Sequence, residues 1–277
     1  MKTSVSTYSF GGYVESLGIY GVIDKAAEMG FEGIEFVESG WSNVDLCELQ
    51  KIGEYAAEKG LARPSFCVGA DFINGSGGDT KAEIERVKAM VDKAAALGVA
   101  NMRHDVASQP RGRKINIGYD DCLPVMADAI REVAMYAEQK GVGTMTENHG
   151  YFSQDAARVE KLINTVAHDN FGALVDMGNF MCADADPLKA VTIAAPYTFH
   201  AHAKDFLYKS AEVKRPAGFF RTAAGHHLRG TVLGHGVVPV EACVKALKNG
   251  GYDGWLSIEF EGMEENLPAL RSGLELL

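Results

Sequence analysis

The chain has 277 residues, 47% of them hydrophobic and 23% charged, with a formal net charge of −10. That apolar share suits a globular protein with a large core, and the acidic balance excludes the basic footprint of a nucleic-acid binder. The opening "MKTSVSTYSF" lacks an apolar stretch, so no secretory leader is expected, and no run of about 18 apolar residues announces a membrane span.

Taken in chain order, strands are predicted near residues 3–10, 32–37, 63–69, 100–106, 142–148, 171–177, 197–203 and 254–260. A phrase recurs before most of them: a helical stretch, a glycine, a short link, then a strand. It appears at Gly30, Gly60, Gly98, Gly141 and the pair Gly250–Gly251. The glycine supplies the left-handed conformation that closes a helix. The preceding stretches have helical spacing, with Ile84, Val87, Val91 and Ala94 on one face and Met126, Ile130, Val133 and Ala137 on another. Strands six and seven, "FGALVDM" and "YTFHAHA", follow helical stretches without such a glycine.

Strict β-then-α alternation implies parallel strands joined by right-handed crossovers. Eight units in this length predict an α/β fold, a single (β/α)8 TIM barrel over residues 1–277. The competing open sheet in its dinucleotide-binding form has no support, because no G-x-G-x-x-G follows the first strand. Between strands seven and eight, residues 206–236 are long for a barrel connection and rich in Gly, Arg and His. An extended loop is expected there, acting as a lid or binding segment. The cysteines Cys47, Cys67, Cys122, Cys182 and Cys243 are scattered and odd in number, which suits free thiols in a reducing cytoplasm.

Barrel active sites gather where the strands end at their C-termini. The polar residues there are Glu35, His104, Glu147 with His149, Asp176, His202 and Glu259. Each has a plainer role open to it: a hydrogen-bonded core histidine for His202, a turn cap for Asp176, a core ion pair for Glu147. Several buried acids converging on one mouth repel one another, and a divalent cation relieves that repulsion. Side-chain alternation puts His200 and His202 on one face, with His202 nearer the mouth. The expected ligand set is therefore Glu147, Asp176, His202 and Glu259, one from each of strands five to eight, with His200 structural. Three carboxylates and one imidazole suit one divalent ion, Mn2+ above Mg2+, Co2+ or Zn2+.

At these residues the chain resembles the xylose-isomerase-like barrel superfamily of sugar isomerases, epimerases, inosose dehydratases and endonuclease IV. The resemblance rests on "GIEF", "TENHG" at 146–150, "LVDMGN" at 174–179, "HAHAKD" at 200–205, "LGHGVVPV" at 233–240 and "WLSIEFEG" at 255–262. It implies the same four metal ligands. Asn179 stands where the ketose 3-epimerases carry a histidine, and "AKDF" is more like the dehydratase and general isomerase branches. Endonuclease IV needs a three-zinc ligand set and a DNA surface, which the acidic balance argues against.

The expected chemistry is proton abstraction beside the carbonyl of a sugar or oxo-sugar through an enediolate, as in an isomerase or epimerase. Glu147 and Glu259 flank the substrate as acid and base, His149 is the alternative base, and Lys204 is an electrostatic partner of the oxyanion. Expulsion of a β-substituent from the same enediolate gives a lyase or dehydratase, including opening of a 3-oxo-glycoside. A non-catalytic sugar-binding subunit is the remaining alternative. Glu35, His104, Arg221 and His227, with Arg103 and His226, are candidates for substrate contacts. Tyr8, Phe10 and Trp41 are candidates for stacking. No nucleic-acid or membrane partner is expected, while a homo-oligomer and a partner subunit both stay open.

Overall fold

Eight parallel strands close on themselves, and each barrel strand hands over to a helix that covers it. The computed structural model describes residues 1–112 and 117–277. The barrel strands are β1 (Lys2–Ser6), β2 (Gly33–Val37), β3 (Ser65–Val68), β4 (Asn101–His104), β5 (Gly143–Glu147), β6 (Phe171–Asp176), β7 (Thr198–Ala203) and β11 (Trp255–Ile258). Their order around the barrel is β1-β11-β7-β6-β5-β4-β3-β2. The helices are α1 (Tyr13–Met29), α2 (Leu46–Glu58), α3 (Thr80–Leu97), α4 (Tyr119–Gln139), α5 (Ala156–Val166), α6 (Pro187–Ala194), α7 (Val240–Asn249) and α8 (Asn266–Leu276).

Barrel strands are covered on both faces, so they read as continuous apolar runs rather than alternating ones. The residues of β6 are buried without exception. The helical faces marked by Ile84, Val87, Val91 and Ala94 and by Met126, Ile130, Val133 and Ala137 are buried against this barrel. Gly30 and Gly98 close α1 and α3 at φ 89° and 65°. Helix α5 instead closes on Ala167 at φ 47°, which is why the sequence shows no glycine there. At the seam, β1 pairs with β11 in the register Ser4↔Ser257. The two hydroxyls meet at 2.6 Å, and the Ser9 hydroxyl donates to the Ile258 carbonyl and accepts from the Phe260 N–H.

The segment after β7 is not an irregular loop. It folds into a three-stranded antiparallel sheet of β8 (Asp205–Lys209), β9 (Phe220–Arg221) and β10 (His227–Thr231), in the order β8-β10-β9. Its apolar side buries Phe206 and Leu228 against Cys182, with Phe220 packed alongside. Asp205 fastens it: its carboxylate accepts from the backbone N–H groups of Phe206, Gly234, Gly236 and Val238. A Cβ on Gly236 would collide with that carboxylate, so glycine is required for the close approach.

Candidate metal centre

Glu147 and Asp176 are the last residues of β5 and β6, His202 lies near the end of β7, and Glu259 follows β11 directly. Parallel pairing of Asp176 with His202, and of His202 with Ser257, brings these ends level. One ligand atom from each of the four residues falls within a group whose members lie no more than 4.8 Å apart. His202 Nδ1 is 3.6 Å from Asp176 Oδ2, 3.6 Å from Glu259 Oε2 and 4.0 Å from Glu147 Oε1. Ligands about 2.0–2.3 Å from a shared ion sit at such separations from one another. Asp176 Oδ2 and His202 Nδ1 are buried without a hydrogen bond among the described residues. Asp176 Oδ2 has the Lys204 ammonium at 3.2 Å, whereas a buried atom such as His202 Nδ1 is rarely left without a partner, and a cation between the two would satisfy it. The set fits a divalent ion.

The surrounding groups aim the ligands. Asp176 uses Oδ1 to accept from the N–H groups of Gly178 and Asn179, both at 2.8 Å, leaving Oδ2 for the centre. The turn cap thus leaves the other oxygen of the same side chain free to act as a ligand. Asn148 ties β5 to β6 by donating to the Asp176 carbonyl and accepting from its N–H, each at 2.9 Å. Glu147 is held by Asn179 Nδ2 at 2.6 Å and by the Arg103 guanidinium at 2.5 Å. His202 Nε2 meets the two Glu35 oxygens at 2.9 and 3.0 Å. With the proton on Nε2, Nδ1 presents its lone pair to the centre.

Glu35, His200 and His202 form a second close group. Hydrogen-bond lengths account for it: His200 Nε2 lies 2.9 Å from Glu35 Oε2 and 3.0 Å from the Ser257 hydroxyl. Burial raises the Glu35 pKa, but the two imidazoles outweigh it and hold the carboxyl well below its usual range. Burial lowers the His202 pKa, and Glu35 with Glu259 outweighs it in the other direction.

Lys204 lies 3.2 Å from Asp176 Oδ2 and 3.6 Å from Glu261 Oε2, and it pairs with Glu259. Burial disfavours its charge, yet Asp176 and Glu259 raise its pKa well above the ordinary lysine value. Its ammonium therefore balances part of the acidic cluster. His149 is half-exposed and bonded through Nδ1 to Asp105 at 3.0 Å, and that bond raises its pKa. A cavity of about 210 Å³ lies over the ligand set, with Glu147, Glu259, His149 and Lys204 in its wall. A second, of about 430 Å³, opens toward the three-stranded sheet and shares His149, Lys204 and Glu261.

Of the expected substrate contacts, Arg103 lines the cavity over the ligand set, and the others fall elsewhere. Glu35 is fully buried beneath the ligand set, with both oxygens taken by imidazoles. His104 is fully buried between the rings of Phe72 and Phe171, on the opposite face of β4 from Arg103. Arg221 is exposed on β9, and its carbonyl accepts from the Tyr151 hydroxyl. His227 is buried on β10 opposite Arg221 and Lys209, and His226 bonds to Tyr208. None of these lines either cavity. Phe10 belongs to the core. Sequence reasoning gives no role to Asp105, one position past the end of β4, and does not place Asn179, three positions past the end of β6, against Glu147.

The sequence profile of the xylose isomerase-like TIM barrel family matches residues 23–277. An inosose dehydratase of Bacillus thuringiensis (strain Al Hakam) is 26% identical over 137 residues, 49% of this chain and 46% of that protein. The matching segment thus spans about half the length of that curated relative. Among solved structures, a D-psicose 3-epimerase in the presence of D-fructose aligns with a TM-score of 0.77 at 16% identity, over 100% of this chain and 98% of its own. The IOLI protein with a bound zinc atom aligns at 0.74 and 18% identity, over 99% and 96%. At these identities the structural likeness shows the fold alone. Joined to the profile match over most of the sequence, it places the conclusion beyond the barrel shape: the chain belongs to the xylose isomerase-like TIM barrel family.

Proposed function

We propose that this protein is a divalent-metal-dependent enzyme that removes a proton beside the carbonyl of a sugar or oxo-sugar. The observation that carries the reading is the convergence of Glu147, Asp176, His202 and Glu259, with His202 Nδ1 left without a hydrogen bond among the described residues and Asp176 Oδ2 met by the Lys204 ammonium. These four residues would hold the ion, and the oxygen-rich set favours Mn2+. The relatives supply the substrate class: one is a dehydratase of an inosose, another an epimerase of a ketose. When bound, the ion supplies Lewis-acid stabilisation of the charge that grows on the carbonyl oxygen.

Glu259 and Glu147 stand on either side of the substrate position. One takes the proton and the other returns it on the opposite face, which gives an epimer. Arg103 and Asn179 fix the Glu147 carboxylate in one orientation. His149, oriented by Asp105, is the reserve base. The reading is tested by metal analysis and by deuterium uptake from D2O next to the carbonyl. Asp176→Ala should lose the ion with the barrel intact. Metal-replete Glu147→Gln and Glu259→Gln should each lose roughly 10²–10⁴-fold in turnover. Full turnover in both would sink the mechanism.

A second reading, elimination, is favoured by Lys204. Its buried ammonium reaches the substrate cavity and donates to Asn179 Oδ1 at 3.2 Å, a position from which its positive charge would stabilise a departing hydroxyl by hydrogen bonding. Lys204→Met should then keep solvent exchange and lose the eliminated product. An epimerase would instead release an unchanged substrate skeleton in wild type.

A further inference from the structure

Beside the ligand-set cavity lies a third, larger space that proton abstraction does not use. It measures about 660 Å³ and is lined by Tyr8, Val14, Glu15, Val37, Glu38 and Trp41 among others. Tyr8 and Val37 also line the ligand-set cavity, so the two spaces meet at these residues. Tyr8 sits on the 3-10 turn Thr7–Phe10, half-exposed, and borders the cavity under the three-stranded sheet as well.

The chemistry of the annex differs from that of its neighbours. Its wall is aromatic and aliphatic. Trp41 is held rigid there, donating its indole N–H to the Val37 carbonyl at 3.1 Å and packing on Phe36 at 5.5 Å. The polar groups of the annex are the hydroxyls of Thr7, Tyr8 and Ser39 and two carboxylates, Glu15 and Glu38; neither carboxylate has a side-chain hydrogen bond or ion pair among the described residues. Acids repel a phosphate or carboxylate ligand and accept from hydroxyl donors. A flat ring stacks on Tyr and Trp. Size points the same way. At about 210 Å³ the ligand-set cavity falls below the usual range of about 300–1,000 Å³ for a small-molecule site, whereas the annex falls within it.

From this geometry we infer that the substrate is a sugar bearing a phenolic aromatic group, with the sugar at the ligand set and the aromatic group in the annex against Trp41 and Tyr8. The inference rests on the proposed function for the sugar half and names the other half. Gly40 supplies a clean probe. It lines the annex, and a Cβ built on it meets nothing within 4 Å, so a side chain there fills space without disturbing the fold.

The test titrates 4-methylumbelliferone, followed by its fluorescence, into protein with and without Mn2+. The titration is repeated with 4-methylumbelliferyl β-glucoside and with methyl β-glucoside. The free phenol should bind in both metal states, and Gly40→Leu or Val14→Phe should each weaken it at least about tenfold. The aryl glucoside should bind at least about tenfold more tightly than the methyl glucoside, and Mn2+ should strengthen the aryl glucoside but not the free phenol. No binding of the phenol, equal affinity in the wild type and both folded variants, or equal affinity of the two glucosides overturns the inference. If the protein takes up no ion while the phenol still binds, the proposed function falls and the substrate assignment falls with it. If the ion and solvent exchange are present and the phenol does not bind, only the annex inference falls.

Discussion

Glu35, expected to contact substrate, does not line the cavity over the ligand set, yet it orients the proposed ligand above it. By accepting from Nε2 of His202 it fixes the tautomer and turns Nδ1 toward the centre. Glu35→Gln should lower metal affinity roughly 10–100-fold, measured by competition with a chelator, with the circular dichroism spectrum unchanged. The sequence reading placed this residue at the mouth because it ends an apolar run. The strand ends at Val37, as the predicted span 32–37 also has it, and Glu35, two residues earlier, lies one layer deeper. His104 was misplaced by parity. It alternates with Arg103, and it is Arg103 that faces Glu147. His104 is buried, and burial pushes its pKa down to about 4 from 6.5. The unfolded chain therefore binds a proton at this site from about pH 6.5 downward, while the folded protein resists until about pH 4. Stability from this group is present above pH 6.5 and is lost as pH falls through that window. Relative to His104→Phe, the wild type should lose about 3 kcal/mol between pH 6.5 and 4, read from urea unfolding of both proteins at each pH. Equal slopes would show that His104 is not buried in its neutral form.

At the scale of elements, the repeated helix–glycine–strand phrase made the barrel legible, because closing a helix and starting a buried strand leave strong local marks. The eight strand positions and both marked helical faces agree with the structure to within a few residues. The β8-β10-β9 sheet was not legible. Its strands are short, β9 is only two residues long, and antiparallel pairing is set by contacts distant in sequence rather than by a local period. The sequence did mark its anchor without saying what it was: in "HAHAKDF" the aspartate is Asp205. Asp205→Ala removes the acceptor of four backbone N–H groups. Each buried donor left unpaired costs about 1–3 kcal/mol before water compensates. The expected outcome is faster proteolytic cleavage within residues 206–236, with metal content retained. Cleavage at the wild-type rate would mean that the apolar side of the sheet, Phe206 and Leu228, holds it alone.

For the whole molecule, the net charge of −10 argues against a phosphate-backbone partner. Affinity for duplex DNA depends on cationic side chains that displace counterions. No retention on a duplex, including one with an abasic site, is expected at about 0.15 M salt; salt-sensitive retention would point to a local basic surface. No helix among the described residues is long and apolar enough to cross a membrane. The seam between β1 and β11 has a consequence for how the centre comes into being. Strands from opposite ends of the described sequence lie side by side, and Glu259 follows β11 by one residue. Contacts so distant along the chain form slowly. Three of the proposed ligands lie on the adjacent strands β5, β6 and β7, but the fourth arrives only when β11 slots in between β1 and β7. If the proposed set holds an ion, capture by all four residues waits during synthesis for that strand, and a filled centre would certify a closed barrel.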